Sequence, residues 1–97
     1  MKLTSKQRQY LRGLAHSLNP YIIIGKNGLT PSSIKSIDKS LLDHELIKVR
    51  VQIGDKKQLA SLIEKKTSCS IVGIIGKVLI LYRFSPDKGD KAIKIPS

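Results

Sequence analysis

A short apolar run, Tyr21-Ile22-Ile23-Ile24, stops at Gly25-Lys26-Asn27-Gly28 and is followed at once by Leu29-Thr30-Pro31. No other stretch restricts the fold as tightly. β-Branched residues in a row favour extended backbone, and a continuous apolar strand is expected to be covered on both sides. The two glycines let the chain turn sharply. Thr30 then stands where a side-chain oxygen caps a helix, and Pro31 where its first turn begins. Strand, tight loop and capped helix therefore follow one another without a spacer. The loop amides, the positive end of the helix dipole and the Lys26 cation converge on a place suited to an anion.

The remaining segments alternate in the same way. Thr4 or Ser5 caps a helix running to about Ser17, with Leu11, Leu14, Ala15 and Leu18 as its buried stripe. Asn19-Pro20 ends it, since the residue before proline is pushed out of helical geometry. A second helix spans Pro31 to about Asp43, with Ile34, Ile37 and Leu41 inward and Lys35 and Lys39 on another side. Glu45 to Ile53, dominated by Leu46, Val49, Val51 and Ile53, reads as a strand with Lys48 and Arg50 interleaved. Gly54 breaks it, and Asp55 caps a third helix ending near Thr67, with Leu59, Leu62 and Ile63 as its apolar face. Ser70 to Ile75 and Val78 to Arg83 are two further strands joined by a tight turn at Gly76-Lys77. The fold class is α/β: a single domain in the order α-β-α-β-α-β-β with a mixed four-stranded sheet. Its early strands pair in parallel, and its last two form an antiparallel hairpin. Residues 1–86 are expected to form the domain, and 87–97 a polar, mobile tail.

Charge narrows the partner. The chain has 97 residues, 18 Lys and Arg against 7 Asp and Glu, and a formal net charge of +11. Lys2, Lys6, Arg8, Arg12, Lys26 and Lys35 all precede the first acidic residue, Asp38. Such a balance calls for an acidic polymer, and combined with the glycine loop it points to nucleic-acid phosphate. Arg8, Arg12 and His16 stand four apart on one helix face. That face is either simply solvated or grips phosphate oxygens through its guanidinium groups. His16 is its weaker member, being mostly neutral at pH 7.

Other chemistries find little support. The lone Cys69 excludes an intramolecular disulfide and a multi-cysteine zinc site, fits a reducing compartment, and reads as a small buried thiol. His44-Glu45 lacks the second histidine of H-E-x-x-H, so neither metal nor cofactor is expected. Gly73-Ile74-Ile75-Gly76 repeats the G-x-x-G spacing with an apolar centre and reads as structural. Gly76-Lys77 is followed by Val78, which breaks the nucleotide P-loop pattern. An enzyme is not expected. Nothing approaches the roughly 20 apolar residues of a membrane span, and no signal core opens the chain, so a cytoplasmic location is expected. Aromatic residues are few: Tyr10, Tyr21, Tyr82 and Phe84. Base stacking on paired sheet aromatics is therefore not supported. Tyr82-Arg83-Phe84 offers either a small stacking surface or, at Tyr82, a core residue.

Several of these stretches occur together in one known family. Leu11-Arg12-Gly13-Leu14-Ala15-His16, Asn19-Pro20 and Ile24-Gly25-Lys26-Asn27-Gly28-Leu29-Thr30 resemble the N-terminal half of the CRM domain. His44-Glu45-Leu46-Ile47-Lys48-Val49 and Ile75-Gly76-Lys77-Val78-Leu79-Ile80-Leu81-Tyr82-Arg83 resemble its second half. The likeness covers roughly residues 2–86 and is strongest to stand-alone bacterial YhbY-like proteins. It implies an RNA-binding domain folded like the C-terminal domain of bacterial translation initiation factor three. It also implies association with ribosomal RNA of the large-subunit precursor and a role in ribosome assembly. The family's G-x-x-G loop falls on Gly25, Lys26, Asn27 and Gly28, and its basic first-helix positions on Arg8 and Arg12. Phe84-Ser85-Pro86 departs from the family's commoner proline directly after arginine. The expected RNA contacts are thus Gly25, Lys26, Asn27, Gly28, Thr30, Lys35, Arg8, Arg12 and His16, on a protein that acts as a monomer without cofactor or metal. Two other readings stay open: a double-stranded DNA-binding protein, though without a helix-turn-helix or zinc-finger signature, and a protein-docking module of an assembling ribonucleoprotein.

Overall fold

The computed structural model describes residues 3–18, 22–86 and 93–95. Three helices and four strands alternate as α1 (Ser5–Ala15), β1 (Ile22–Ile24), α2 (Pro31–His44), β2 (Leu46–Val51), α3 (Lys56–Thr67), β3 (Ser70–Ile75) and β4 (Val78–Tyr82). Local chemistry explains the boundaries. Thr4 caps α1 in a reciprocal box: its side chain accepts from the Gln7 amide, and the Gln7 side chain accepts from the Thr4 amide. Thr30 accepts from the Ser33 amide at 3.1 Å, with Pro31 in the first turn of α2. Asp55 accepts from Lys57 and Gln58 at the start of α3.

The sheet runs in the order β1-β2-β4-β3. β1 lies parallel to β2, and β4 is antiparallel to both β2 and β3. The mixed four-stranded sheet and both pairing directions agree with the sequence reading. Helices cover both faces. Ile37 and Leu41 of α2 and Ala60 and Ile63 of α3 bury themselves against Ile24, Ile47, Val49, Val51, Leu79 and Leu81. On the opposite face, Leu11 and Ala15 of α1 pack with Leu3, Leu46, Val72, Ile80 and Tyr82. Each fully buried aliphatic side chain contributes about 1.5–3 kcal/mol.

Five expectations need correction. β1 is an edge strand, not one covered on both faces: Ile24 is buried, but Ile23 is 59% exposed. Tyr21 lies outside the described residues. The apolar stripe of α1 is narrower than its spacing suggested, because α1 lies alone on its face; Leu14 is 39% exposed. Leu62 is likewise exposed on α3, and Ala60 takes its place inward. Glu45 and Ile53 fall outside β2: Glu45 is the C-cap of α2, and Ile53 is exposed in the following loop. β4 ends at Tyr82, because Arg83 turns aside to bind other elements.

The segment expected as a polar tail is described only at residues 93–95. There the Ile93 amide donates to Glu45 Oε1 at 2.8 Å, and Ile93 and Ile95 pack on the α1 side of the core. Among the described residues, no helix is long and apolar enough to cross a membrane.

Candidate nucleic-acid interface

The glycine loop is built from both sides. Gln52 N–H donates to Ile24 O at 3.0 Å, so the loop leaves the sheet from a fixed point. Gly28 N–H donates to Gly25 O at 3.0 Å, closing a four-residue turn with Lys26 and Asn27 at its corner. Gly28 has φ of 69°, a conformation that a Cβ disfavours. Gly25 is under no such demand: a Cβ there would meet only Gln52 Oε1, at an ordinary 3.6 Å. Lys26 and Asn27 are exposed. One amide of the loop is thus spent inside the turn, and what the turn presents outward is the pair of corner side chains.

Thr30 works in the same place by a different route. Its hydroxyl is occupied by the Ser33 amide and lies 3.0 Å from Ser33 Oγ. Thr30 therefore fixes the start of α2 beside the turn. Lys35 follows one turn later, on the rim of a cleft of about 450 Å³ whose walls include Leu29, Thr30, Ile34 and Lys66. Lys66 comes from α3, and packing of α2 against α3 brings it there.

Other basic residues reach this end of the sheet through strand register. Ile24 pairs with Val51, whose amide donates to Lys77 O at 2.8 Å, so the β3–β4 turn lies beside the end of β2, at the same end of the sheet as the glycine loop. Lys56 Nζ donates to Gly76 O in that turn. Arg50 is exposed, opposite Ile23 on one side and Val78 on the other. Arg50, Lys56, Lys66 and Lys77 were not among the residues expected from sequence. Their basic character was visible, but their positions depend on register and on helix packing.

Arg8 and Arg12 lie elsewhere. Arg12 Nη1 donates to Val72 O at 3.3 Å, and its stem crosses Gly73, where a Cβ would come within 3.0 Å of Arg12 Cδ. The second G-x-x-G thus has a structural use: Gly73 makes room for Arg12. Arg8 Nη2 donates to Leu3 O at 3.3 Å and borders a cleft with Glu64, Cys69, Ser70 and Ile71. Both arginines stand over β3, the edge opposite β1 and three strand spacings away, about 14 Å. His16 is the exposed C-cap of α1. The geometry gathers Gly25, Lys26, Asn27, Gly28, Thr30 and Lys35 in one region and leaves Arg8 and Arg12 on the far edge.

Two remaining candidates prove structural. Tyr82 is buried, and its burial together with the Glu45 carboxylate pushes its hydroxyl pKa up. Arg83 Nη1 donates to Asp38 Oδ1 at 2.5 Å and to Thr67 O at 2.7 Å, tying α2 to the end of α3. Only Phe84 of that triplet is an exposed aromatic. Cys69 is buried, and desolvation raises its thiol pKa.

Comparison with known proteins agrees with this architecture. The family model of the CRS1/YhbY (CRM) domain matches residues 3–83. The "RNA-binding protein" of Haemophilus influenzae is 43% identical over 88 residues, covering 88% of this chain and 89% of that one. The "Probable RNA-binding protein YqeI" of Bacillus subtilis is 38% identical over 97 residues, covering 97% and 99%. The solution structure of the hypothetical protein SAV1595 from Staphylococcus aureus superposes with a TM-score of 0.82 at 41% identity, covering 98% of this chain and all of that one. The chain belongs to the CRS1/YhbY (CRM) domain family.

Proposed function

We propose that this protein binds RNA through the end of its sheet that carries the glycine loop. The observation that carries the reading is the turn itself: Lys26 and Asn27 are exposed at its corner, beside the capped N-terminus of α2. A sugar–phosphate backbone laid along this turn meets the Lys26 cation and the positive end of the helix. Lys35 and Lys66 extend the contact along one side, and Arg50 and Lys77 along another. Arg8, Arg12 and His16 form a second basic area that a longer or folded RNA reaches. The protein acts as a binder, not a catalyst, as a cytoplasmic monomer, with residues 1–86 as the RNA-binding domain. Names of relatives support RNA as the ligand. The resemblance to YhbY-like proteins supports a finer reading: ribosomal RNA of the large-subunit precursor is the target, and ribosome assembly the process.

Exchange of both corner residues, Lys26→Asp with Asn27→Asp, tests the site. The expected result is an unchanged circular dichroism spectrum and RNA affinity lowered at least about tenfold, roughly 1.4 kcal/mol. Full retention of affinity would place the contact elsewhere. Affinity should also fall steeply with salt, as counterion release requires. Competition against duplex DNA separates RNA from DNA as the ligand. Crosslinking in cells, followed by sequencing of the attached RNA, tests the ribosomal target.

A further inference from the structure

The register of the sheet creates a feature that no single segment displays. Ile23 pairs with Arg50, Arg50 with Val78, and Val78 with Ile75, so these residues form one row across all four strands. Residues directly opposite in a sheet share a face. Ile24 belongs to the core under α2 and α3, and alternation puts Ile23 and its row on the α1 face. α1 covers that face further along, around Leu46, Ile80 and Tyr82. The row itself is open: Ile23 and Ile75 are each 59% exposed, and Arg50 is exposed.

Among the described residues, Ile23 and Ile75 are the most exposed of the large apolar side chains, and they stand at the two edges of one sheet row. Their surroundings say what suits them. Lys26 follows β1 at one edge, Lys77 precedes Val78 in the turn near the other, and Arg50 stands between. α1, which shares this face, carries no acidic residue from Ser5 to Ala15. A row about 14 Å long, apolar at Ile23, Val78 and Ile75 with Arg50 within it and further cations around it, fits a ligand that is both apolar and polyanionic.

We infer that this row is a platform for unpaired RNA bases, and that the phosphates joining them lie on Lys26, Lys77 and Arg50. The inference rests on the RNA-binding reading above and deepens it: the preferred ligand is a single strand. A duplex keeps its base faces stacked inside and offers the protein only backbone and groove edges. A single strand splays its bases outward. Ile23, Val78 and Ile75 then give them an apolar surface without aromatic rings, and the Arg50 guanidinium lies flat against a base or grips a phosphate.

Two measurements test it. In the first, Ile23→Ser with Ile75→Ser is compared with the unaltered chain. The probes are a single-stranded RNA of mixed sequence, about 12 nucleotides long, and a blunt RNA duplex of equal length. Single-strand affinity should fall about tenfold while duplex affinity stays within about twofold. The salt slope should not change, because no charge is removed. In the second, methyl resonances of the unaltered chain are followed by NMR. Those of Ile23 and Ile75 should shift with the single strand and stay in place with the duplex. Equal losses for both RNAs, or methyls that ignore the single strand, would overturn the platform while leaving a Lys26-dependent contact standing. A chain that bound neither RNA would overturn the RNA-binding reading itself.

Discussion

Replacing Glu45 tests how this small domain holds its C-terminal segment. Glu45 is fully buried at the end of α2, with φ of 64°. Its carboxylate accepts from the Ser85 amide through Oε2 and from the Ile93 amide through Oε1, each at 2.8 Å. Its own carbonyl accepts from Arg83 N–H at 2.9 Å. One side chain thus gathers positions 85 and 93 to the corner between α2 and β2. In Glu45→Gln, one oxygen still accepts, but the new NH2 group faces a backbone donor. The charge-assisted character of both bonds is lost as well. A hydrogen bond to a charged group is worth about 1.5–3 kcal/mol, and a donor left without a partner costs about 1–3 kcal/mol. Partial detachment of residues 93–95 lets the freed amide find water and softens the penalty. Ile93 and Ile95 then give up part of their packing. We expect a loss of about 3 kcal/mol, a large share of the roughly 5–15 kcal/mol that stabilises a domain of this kind. Urea unfolding followed by circular dichroism measures it, and amide exchange at Ser85 and Ile93 locates it. Glu45→Gly separates two terms: it loses both bonds but relieves the positive φ, which costs a side-chain-bearing residue about 1–3 kcal/mol. A Glu45→Gln protein within about 0.5 kcal/mol of the original, with exchange at Ser85 and Ile93 unchanged, would refute the reasoning.

Four further outcomes follow from the geometry. Gly28→Ala should cost about 1–2 kcal/mol because of its positive φ, whereas Gly25→Ala should be within about 0.5 kcal/mol of neutral; paired urea titrations compare them. Gly73→Ala should push the Arg12 stem off β3 and release Val72 O, at a cost of about 1 kcal/mol; the Arg12 side-chain NMR signals should shift. Arg83→Lys should lose the forked grip on Asp38 and Thr67 and destabilise by about 1–2 kcal/mol, measured by thermal unfolding. Stability should also fall in alkali. The folded pKa of Cys69 is raised above 9.0 and that of Tyr82 above 10.0, chiefly by burial. Below those values both groups are protonated whether folded or unfolded. As pH rises past about 9, the unfolded chain sheds these protons first and gains population. Urea midpoints should therefore drop above pH 9, less steeply in Cys69→Ala.

Where the physics is local, the sequence spoke clearly. Thr4, Thr30 and Asp55 cap their helices through amides two or three residues away, and Gly76-Lys77 turns between adjacent strands. Each depends on neighbours in the chain, so residue types suffice. Burial at the margins was harder to read. Tyr21 to Ile24 has the composition of a covered strand, yet composition does not say which strand ends at an edge. Leu14 and Leu62 follow helical spacing, but how wide a stripe is covered depends on what the other layer places opposite. Glu45 is the extreme case. Its partners lie 40 and 48 residues away, and nothing about a glutamate after a histidine announces a buried latch.

The candidate site divides along the same line. The glycine loop is a local object and was legible as one, down to the cap that follows it. The site's extent is a matter of topology. β4 inserts between β2 and β3, and that one fact has two consequences. It carries β3, and with it Arg8 and Arg12, to the edge away from the loop, although the spacing of those arginines had suggested a stripe leading towards it. It also aligns Ile75 and Val78 with Arg50 and Ile23, joining segments far apart in sequence into one row that starts beside Lys26 and ends on β3. Charge alone would have weighted all the cations equally. The sheet order instead separates cations that share the loop's end, and can act on one stretch of backbone, from those that need a second contact. Binding should therefore lose more affinity for a short single strand when Arg50 is neutralised than when Arg12 is, despite their equal charge. Arg50→Gln and Arg12→Gln, titrated with the same short RNA, measure that difference; equal losses would mean that net charge, and not the order of the strands, governs recognition.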